Sequence, residues 1–301
     1  MQDALSLLTH DGLQLDFGAA TGRVKLRGKI EGAADALTSV YHAFEPIRSP
    51  AFCAATVTLQ PSRTRAGGRT GIELLADGES LFEPFDAGSH LPLIEWGLNW
   101  LLAHRLLHVL LLHAGSVALG DRAVVMPAMP GSGKSTLTAA LACRGFRLLS
   151  DEFGIVDLDS GELIPLVRPI SLKNASIDVI RRFAPHATLG PRFPNTRKGT
   201  VAHVAPDAES VAARHRRAKP VAIVFPRYEG GAPLSLEPIA RTMAFSKLAI
   251  NSFNYGMLGP KGFRCVARLV DACDCLVLRY GELDDAIAAV RAMLSDGHRV
   301  A

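Results

Sequence analysis

The first 88 residues contain short stretches in which apolar and polar side chains alternate. Such stretches lie at residues 13–17, 24–27, 55–59 and 72–75, and turns rich in glycine and proline separate them. Alternation with a period of two is typical of β-strands that bury one face. The pattern therefore predicts a β-rich N-terminal module over residues 1–88. The region shows no helical pattern, and it carries no motif that indicates a chemical task.

From residue 89 onward, longer apolar segments predict a domain of the α/β class, residues 89–301. The run at 90–110 predicts a long helix, and 111–119 a strand that a two-residue turn, Gly120 and Asp121, joins to the next strand. The apolar run at 221–225 predicts a central strand that is buried on both faces. Helices are further expected at 135–142, 177–183, 241–251, 263–272 and 283–294, and strands at 146–152 and 275–279.

Composition and charge limit the classes of partner. The formal net charge of +4 is mild and does not indicate a nucleic-acid-binding protein. The most apolar segment, 91–112, contains Glu95 and Arg105, which would be costly in a bilayer, so no membrane segment is expected. The N-terminus lacks the basic and apolar regions of a signal peptide. Five cysteines without a C-x-x-C pair indicate neither a disulfide framework nor a zinc site, and we therefore expect a cytoplasmic protein.

One stretch matches the phosphate-binding loop pattern G-x-x-x-x-G-K-[ST], except that Ala128 replaces the first glycine. An apolar strand at 123–126 precedes it and the predicted helix at 135–142 follows it, which is the context that this motif requires. The sequence thus predicts a nucleotide site formed by nine consecutive residues: Ala128, Met129, Pro130, Gly131, Ser132, Gly133, Lys134, Ser135 and Thr136.

The chemistry of such a loop explains its residue types. Gly131 and Gly133 allow positive φ, so that successive N–H groups can point at one anion, and the helix N-terminus adds partial positive charge. Lys134 is expected to lie on the loop rather than in the core and to reach the β- and γ-phosphates of ATP. The hydroxyl of Ser135 would ligate Mg²⁺.

Two carboxylates, Asp151 and Glu152, end the strand predicted at 146–152. A carboxylate in this position can hold Mg²⁺ or take a proton from an attacking hydroxyl. Successive strand side chains point to opposite faces, so both acids can serve one site only if the strand has already broken there.

Several basic residues are candidates for phosphate or substrate contacts. Arg168 and Lys173 either reach a phosphate or lie on the surface. Arg197 and Lys198 lie in a polar loop containing glycine, which either clamps an acidic group or a peptide or is a solvated turn. His113, on the strand at 111–119, is either a core histidine or a site residue.

The segment around His113, the phosphate-binding loop and the stretch from Arg144 to Glu152 together resemble the catalytic core of HPr kinase/phosphorylase. That core combines a strand histidine, a P-loop and an Arg-Gly-x-Arg-Leu stretch that ends in two acids. Later stretches, at 171–174, 196–203 and 224–228, resemble a divergent branch, HPr kinase-related kinase A. The resemblance to the branch covers most of the chain, whereas that to the classical enzyme covers about residues 111–157.

The resemblance implies a P-loop kinase core of the HPr kinase/phosphoenolpyruvate carboxykinase type, with ATP and Mg²⁺. Glu152 stands at the family's proton-acceptor position, Asp151 would hold Mg²⁺ with Ser135, and Lys134 and His113 would stabilise charge near the γ-phosphoryl group. The classical pair of acids is Asp-Asp, so the choice of base between Asp151 and Glu152 stays open. Because the classical family is hexameric, a homo-oligomer is also implied.

Three classes of function follow as alternatives. The first is a kinase that transfers the γ-phosphoryl group to a hydroxyl, serine above all, of a small peptide or protein. Related branches accompany peptide-modification systems, including lasso-peptide kinases, and this favours the first class. The second is a small-molecule phosphotransferase, and the third is a nucleotide-binding regulatory protein with weak ATPase activity.

Overall fold

The computed structural model describes residues 2–48, 52–63, 70–129 and 131–295. Within these ranges the chain is a mixed α/β structure with three β-sheets. The helices are α1 (Gln2–Thr9), α2 (Ala33–Tyr41), α3 (His90–Arg105), α4 (Lys134–Ala142), α5 (Ala175–Phe183), α6 (Ala208–Ala212), α7 (Arg241–Ile250), α8 (Tyr255–Leu258), α9 (Pro260–Ala272) and α10 (Leu283–Ser295), with a 3₁₀ turn at Ala87–Ser89. The strands are β1 (Leu13–Asp16), β2 (Thr21–Leu26), β3 (Ala55–Arg63), β4 (Thr70–Ala76), β5 (Glu79–Ser80), β6 (Phe85–Asp86), β7 (Leu110–Leu119), β8 (Arg122–Pro127), β9 (Arg147–Ser150), β10 (Phe153–Val156), β11 (Leu163–Ile164), β12 (Ile170–Lys173), β13 (Phe193–Thr196), β14 (Gly199–Val204), β15 (Lys219–Tyr228), β16 (Ser235–Pro238) and β17 (Asp274–Tyr280).

The first sheet contains β1 to β6, in the order β1-β2-β3-β4-β5, with β6 also paired to β4. β2 and β3 run parallel, and the other neighbours run antiparallel. Along β2 the side chains alternate between half-buried and buried, as a strand with one covered face requires. The four strands expected in this region are therefore confirmed.

The prediction that residues 1–88 lack a helical pattern is wrong, because α1 and α2 lie there. The buried residues of α2 are Ala33, Ala36, Leu37, Val40 and Tyr41, which follow the i, i+3, i+4, i+7 spacing of an amphipathic helix. The signal was present in the sequence, but the neighbouring strand patterns concealed it.

Helix α3 packs against β3 and β4 of the first sheet. A Cβ atom added to Gly97 would lie 2.6 Å from a methyl carbon of Leu74, so the helix approaches the sheet closely at this glycine. The helix ends at Arg105, earlier than the predicted residue 110. One buried apolar cluster contains Leu59, Leu98 and Leu137, so it includes residues on both sides of the predicted boundary at residue 88.

The second sheet has the order β11-β10-β7-β8-β15-β17-β16, with β9 paired to β7. Its centre consists of three parallel strands, β8, β15 and β17, and the outer neighbours are antiparallel. The predicted turn at Gly120 and Asp121 joins β7 to β8, and Gly120 has a φ of 63°. The prediction of a buried central strand at 221–225 is confirmed by β15.

Helices cover this sheet on both faces. Along β8, Val124 and Met126 belong to one buried cluster, and Ala123 and Val125 belong to the other. Helices α4 and α10 contribute to the first cluster and α7 and α9 to the second, so the period-two alternation of the strand divides the core into two layers. The predicted phosphate-binding loop lies on the face with α4, directly before that helix.

The third sheet has the order β12-β14-β13 and is antiparallel. Its turn between β13 and β14 is the predicted polar loop with Arg197 and Lys198. Asn174, directly after β12, has a φ of 51°, and its side-chain oxygen accepts a hydrogen bond from the N–H of Thr200. This contact fixes the end of β12, and therefore Lys173, beside the hairpin.

Candidate active site

The predicted phosphate-binding loop connects the end of β8 to the start of α4, which is the strand-loop-helix order that the sequence predicts. Gly131 and Gly133 have φ angles of 88° and 91°, a conformation that favours glycine. Ala128 is not among the described non-glycine residues with positive φ, so its position does not require the backbone freedom of the glycine that it replaces. Pro130 lies outside the described residues.

A cavity of about 560 Å³ lies over this loop. Eight predicted loop residues line it: Ala128, Met129, Gly131, Ser132, Gly133, Lys134, Ser135 and Thr136. Among the described residues, the buried hydroxyl oxygen of Ser132 has no hydrogen-bond partner, although buried polar groups are usually paired. An unsatisfied hydroxyl and a helix N-terminus that borders the cavity suit an anionic ligand such as phosphate.

Lys134 is buried, which contradicts the expectation that it lies on the loop away from the core. Its ammonium group lies 3.2 Å from the carboxylate of Asp151 and also donates a hydrogen bond to the main-chain oxygen of Asp151. Both side chains are nearly inaccessible, at 9% and 6% exposure. The carboxylate and the main-chain oxygen of Asp151 therefore hold the loop lysine in place.

Glu152 faces the cavity together with His113. β9 ends at Ser150 and β10 begins at Phe153, so Asp151 and Glu152 occupy a bend and not a continuing strand. This is the break that both acids need in order to serve one site. His113, on β7, pairs with Phe153 across the sheet, and its Nε2 lies 3.8 Å from the Oε1 of Glu152.

The surroundings of His113 favour the neutral form of its imidazole. Burial lowers the pKa of its imidazole, and the attraction of Glu152 opposes this shift only in part. The ring of Phe253 packs edge-on against it, with 5.7 Å between the ring centroids. The ring can donate a hydrogen bond to the carboxylate of Glu152 if the 3.8 Å separation shortens, and its lowered pKa disfavours a positive charge at this position.

The three predicted substrate contacts separate into two groups. Lys173 and Lys198 both line the cavity. Partial burial and the positive charge of Lys198 lower the pKa of Lys173, which is the consequence of placing two ammonium groups near each other. Arg197 does not line the cavity, because its guanidinium packs over the ring of Phe85, 4.7 Å from the centroid.

Arg168 is neither a surface residue nor a free phosphate ligand, so both of its predicted roles are wrong. It is buried, and it pairs with Glu95 of α3 at 2.5 Å, while its other amino group donates to Asn99. The hydroxyl of Tyr41 donates to the same carboxylate at 2.5 Å. Burial alone would lower the pKa of Arg168, but Glu95 and Tyr41 outweigh it and raise that pKa.

This buried network, which sequence reasoning missed, borders the acids. Glu95, Arg168 and His203 line a small cavity of about 40 Å³ that also contacts Asp151 and Glu152. Burial lowers the pKa of His203 to about 4, so its imidazole is neutral. The available signal was Glu95 itself, a lone acid within an apolar helix, which requires a partner when it is buried.

The residues present fit a magnesium ion that takes most of its ligands from phosphate and water. Among the described residues, no group of three or more metal-ligating side chains comes together. Ser135 lines the loop cavity, and Asp151 is the nearest acid to the loop lysine. Mg²⁺ usually binds nucleotides through one or two protein groups, so the predicted pair, Ser135 and Asp151, is a sufficient set.

Comparison with known proteins identifies no family for the chain: no family model matches it, and no curated protein matches it. None of the helices in the described ranges has the length and apolar content needed to cross a bilayer. All five cysteines are free thiols. The functional argument therefore depends on the geometry of the loop and the residues around it.

Proposed function

We propose that this chain is an ATP-dependent kinase of the HPr kinase-like type, of the HPr kinase-related kinase A branch, on a P-loop core related to phosphoenolpyruvate carboxykinase. It transfers the γ-phosphoryl group to a hydroxyl, serine above all, of a small peptide or protein. The observation that supports this proposal is the shared cavity. A phosphate-binding loop, a half-exposed carboxylate (Glu152) and two lysines (Lys173 and Lys198) all face it.

The roles of the residues follow from their charges and positions. The loop N–H groups and Lys134 bind the phosphates, and Lys173 and Lys198 offset the charge that spreads over the transferring oxygens. Glu152 takes the proton of the acceptor hydroxyl, since its side chain is 39% exposed and free to meet a substrate. Neutral His113 orients Glu152. Ser135 and Asp151 would hold Mg²⁺, which would supply further positive charge next to the phosphates.

Asp151 has a different role from Glu152 in this proposal. Because its carboxylate is buried against Lys134, it positions the lysine, and it would hold Mg²⁺ together with Ser135. The proposal therefore assigns Glu152 as the base and Asp151 as the group that controls Lys134.

A second candidate is a nucleotide-binding regulatory protein with weak ATPase activity. The half-exposure of Glu152 favours it, because water can reach the carboxylate without any acceptor. A small-molecule phosphotransferase shares the same chemistry and differs only in the acceptor.

Transfer of a labelled γ-phosphoryl group separates these candidates. The protein is incubated with labelled ATP, Mg²⁺ and pools of serine-containing peptides, proteins or hydroxylated metabolites, and free phosphate is measured in parallel. The kinase proposal expects label on a peptide or protein, lost in Lys134→Met and retained in Lys247→Met, which removes an exposed lysine outside the cavity. Label only in free phosphate would favour the regulatory ATPase. Transfer unaffected by Lys134→Met would reject the loop as the nucleotide site.

A further inference from the structure

A second cavity, of about 650 Å³, adjoins the first one at the phosphate-binding loop. The two cavities share Gly131, Gly133, Thr136 and Ser176. They are therefore neighbouring compartments along one loop, and a ligand longer than a phosphate chain can occupy both.

Two tyrosines form one wall of the second cavity. Tyr228 is the last residue of β15 and Tyr280 the last residue of β17, and they lie directly opposite each other in the parallel register. Their ring centroids are 5.7 Å apart, with an angle of 59° between the planes. The carboxyl ends of parallel strands are where open α/β sheets bind ligands.

The two tyrosines contact the loop itself. A Cβ atom on Gly133 would lie 3.0 Å from the hydroxyl oxygen of Tyr280 and 3.1 Å from the Cβ of Tyr228. The main-chain N–H of Tyr228 donates a hydrogen bond to the main-chain carbonyl oxygen of Ser132. Tyr280 is almost fully buried, whereas 54% of Tyr228 is exposed, so Tyr280 supports the wall and Tyr228 has a ring that a ligand can contact.

The other walls combine apolar surface with charged groups, among which acids outnumber bases. Val179 and Phe183 of α5 contribute apolar surface, Arg182 contributes one guanidinium, and Glu282 and Asp284 contribute two carboxylates. An apolar and aromatic wall with a few carboxylate acceptors suits a flat heterocycle attached to a sugar with free hydroxyls.

The two cavities also differ in their reactive groups. His113, Glu152 and Lys173 line the first of these two cavities and not the second, so phosphoryl transfer belongs in the first. The second cavity touches the loop at Gly131, Gly133 and Thr136 and extends from there to Tyr228. An acceptor placed in the second cavity would not meet Glu152, which leaves the non-reacting part of the donor as its occupant.

We infer that the second cavity holds the nucleoside of the bound nucleotide, with its base stacked on Tyr228 and its ribose hydroxyls near Glu282 and Asp284. This inference rests on the proposed nucleotide-binding function of the loop. It assigns the triphosphate to one compartment and the nucleoside to the other.

Comparison of ATP with inorganic tripolyphosphate tests the inference. Binding of each ligand is measured by calorimetry in the presence of Mg²⁺ for the parent, Tyr228→Ala and Tyr228→Phe. Loss of base stacking should weaken ATP binding by roughly 5- to 100-fold in Tyr228→Ala. Tripolyphosphate binding should stay within about twofold of the parent, because it does not reach the tyrosine. Tyr228→Phe keeps the ring and should retain ATP affinity.

A second variant distinguishes the loss of base stacking from an indirect effect of Tyr228→Ala on the phosphate-binding loop. Val179→Trp adds bulk from the opposite wall, at a half-exposed helix position, and should likewise weaken ATP binding without weakening tripolyphosphate binding. Equal losses of both ligands in Tyr228→Ala, or unchanged ATP binding in Val179→Trp, would overturn the inference. If the parent binds both ligands but transfers no phosphoryl group, only the kinase proposal fails. If the parent binds neither, both proposals fail.

Discussion

Replacing each of the two adjacent acids, Asp151 and Glu152, by its amide should affect different properties: protein stability for Asp151 and phosphoryl transfer for Glu152. Asp151 is 6% exposed and lies 3.2 Å from the buried ammonium of Lys134, whereas Glu152 is 39% exposed and makes no comparable ion pair with a lysine. Asp151→Asn therefore removes the charge partner of a buried cation. Glu152→Gln removes a base from an accessible position. Each substitution keeps the size of the side chain, so packing changes little in either variant.

The magnitudes follow from these environments. Removing one partner of a buried ion pair costs about 3–5 kcal/mol of unfolding free energy. The Asn side chain retains an oxygen, and Lys134 keeps its bond to the main chain, so we expect the lower end, about 3 kcal/mol, for Asp151→Asn. Glu152→Gln should change the unfolding free energy by less than about 0.5 kcal/mol. Its phosphoryl transfer should fall by roughly 10²-fold or more, as expected for a lost general base.

The assay combines urea denaturation with a transfer measurement over a magnesium titration. Glu162→Gln is the matched control, because Glu162 is 43% exposed and does not line the cavity, and it should change neither quantity. Asp151→Asn is further expected to raise the Mg²⁺ requirement. The assignment is refuted if Asp151→Asn retains the parent's stability but loses transfer at saturating Mg²⁺ while Glu152→Gln transfers normally.

Three further predictions concern the metal, the loop helix and the buried network. Ser135→Ala should weaken nucleotide binding more in Mg²⁺ than in EDTA, and equal losses in the two titrations would contradict its role as a metal ligand. Gly115→Ala places a Cβ 2.3 Å from the hydroxyl oxygen of Thr138 and should cost about 1–3 kcal/mol in urea denaturation, a loss that Thr138→Ala in the same chain should relieve. The pKa of His203 is about 4 in the folded chain, against 6.5 for the free group. Between these two values the unfolded chain binds more protons than the folded chain. The free energy of unfolding therefore decreases as the pH drops through this window, by about 3 kcal/mol in total. His203→Gln should lack that part of the loss in melts from pH 7 to 4, and an unchanged acid profile would count against it.

Local sequence patterns were sufficient for the features that depend on neighbouring residues. Gly131, Gly133 and Gly120 indicated the loop and the hairpin, because each turn needs the backbone freedom of glycine at that position. The apolar run of β15 indicated its central position, because only a strand covered on both faces tolerates such a run.

Contacts between residues that are distant in the chain were not predictable in the same way. Lys134 was expected outside the core because the motif says nothing about Asp151, whose carboxylate becomes its partner only when β9 returns beside the loop. For Arg197 the sequence allows either a ligand contact or a solvated turn, whereas the hairpin between β13 and β14 brings its guanidinium to the ring of Phe85. In both cases the sequence gives the side chain, and the tertiary fold determines its partner.

The buried pair of Arg168 and Glu95 has a consequence for how this chain can be shortened or recombined. A fragment beginning at residue 89 would retain both charges but would lose Tyr41, which donates to Glu95, and Phe17, whose ring lies 5.6 Å from the guanidinium. Water would then reach an ion pair that borders the two acids of the site. The N-terminal segment therefore shields this ion pair from water. A chimera in which another sequence replaces the segment would keep the shielding only if it retained Tyr41 and Phe17.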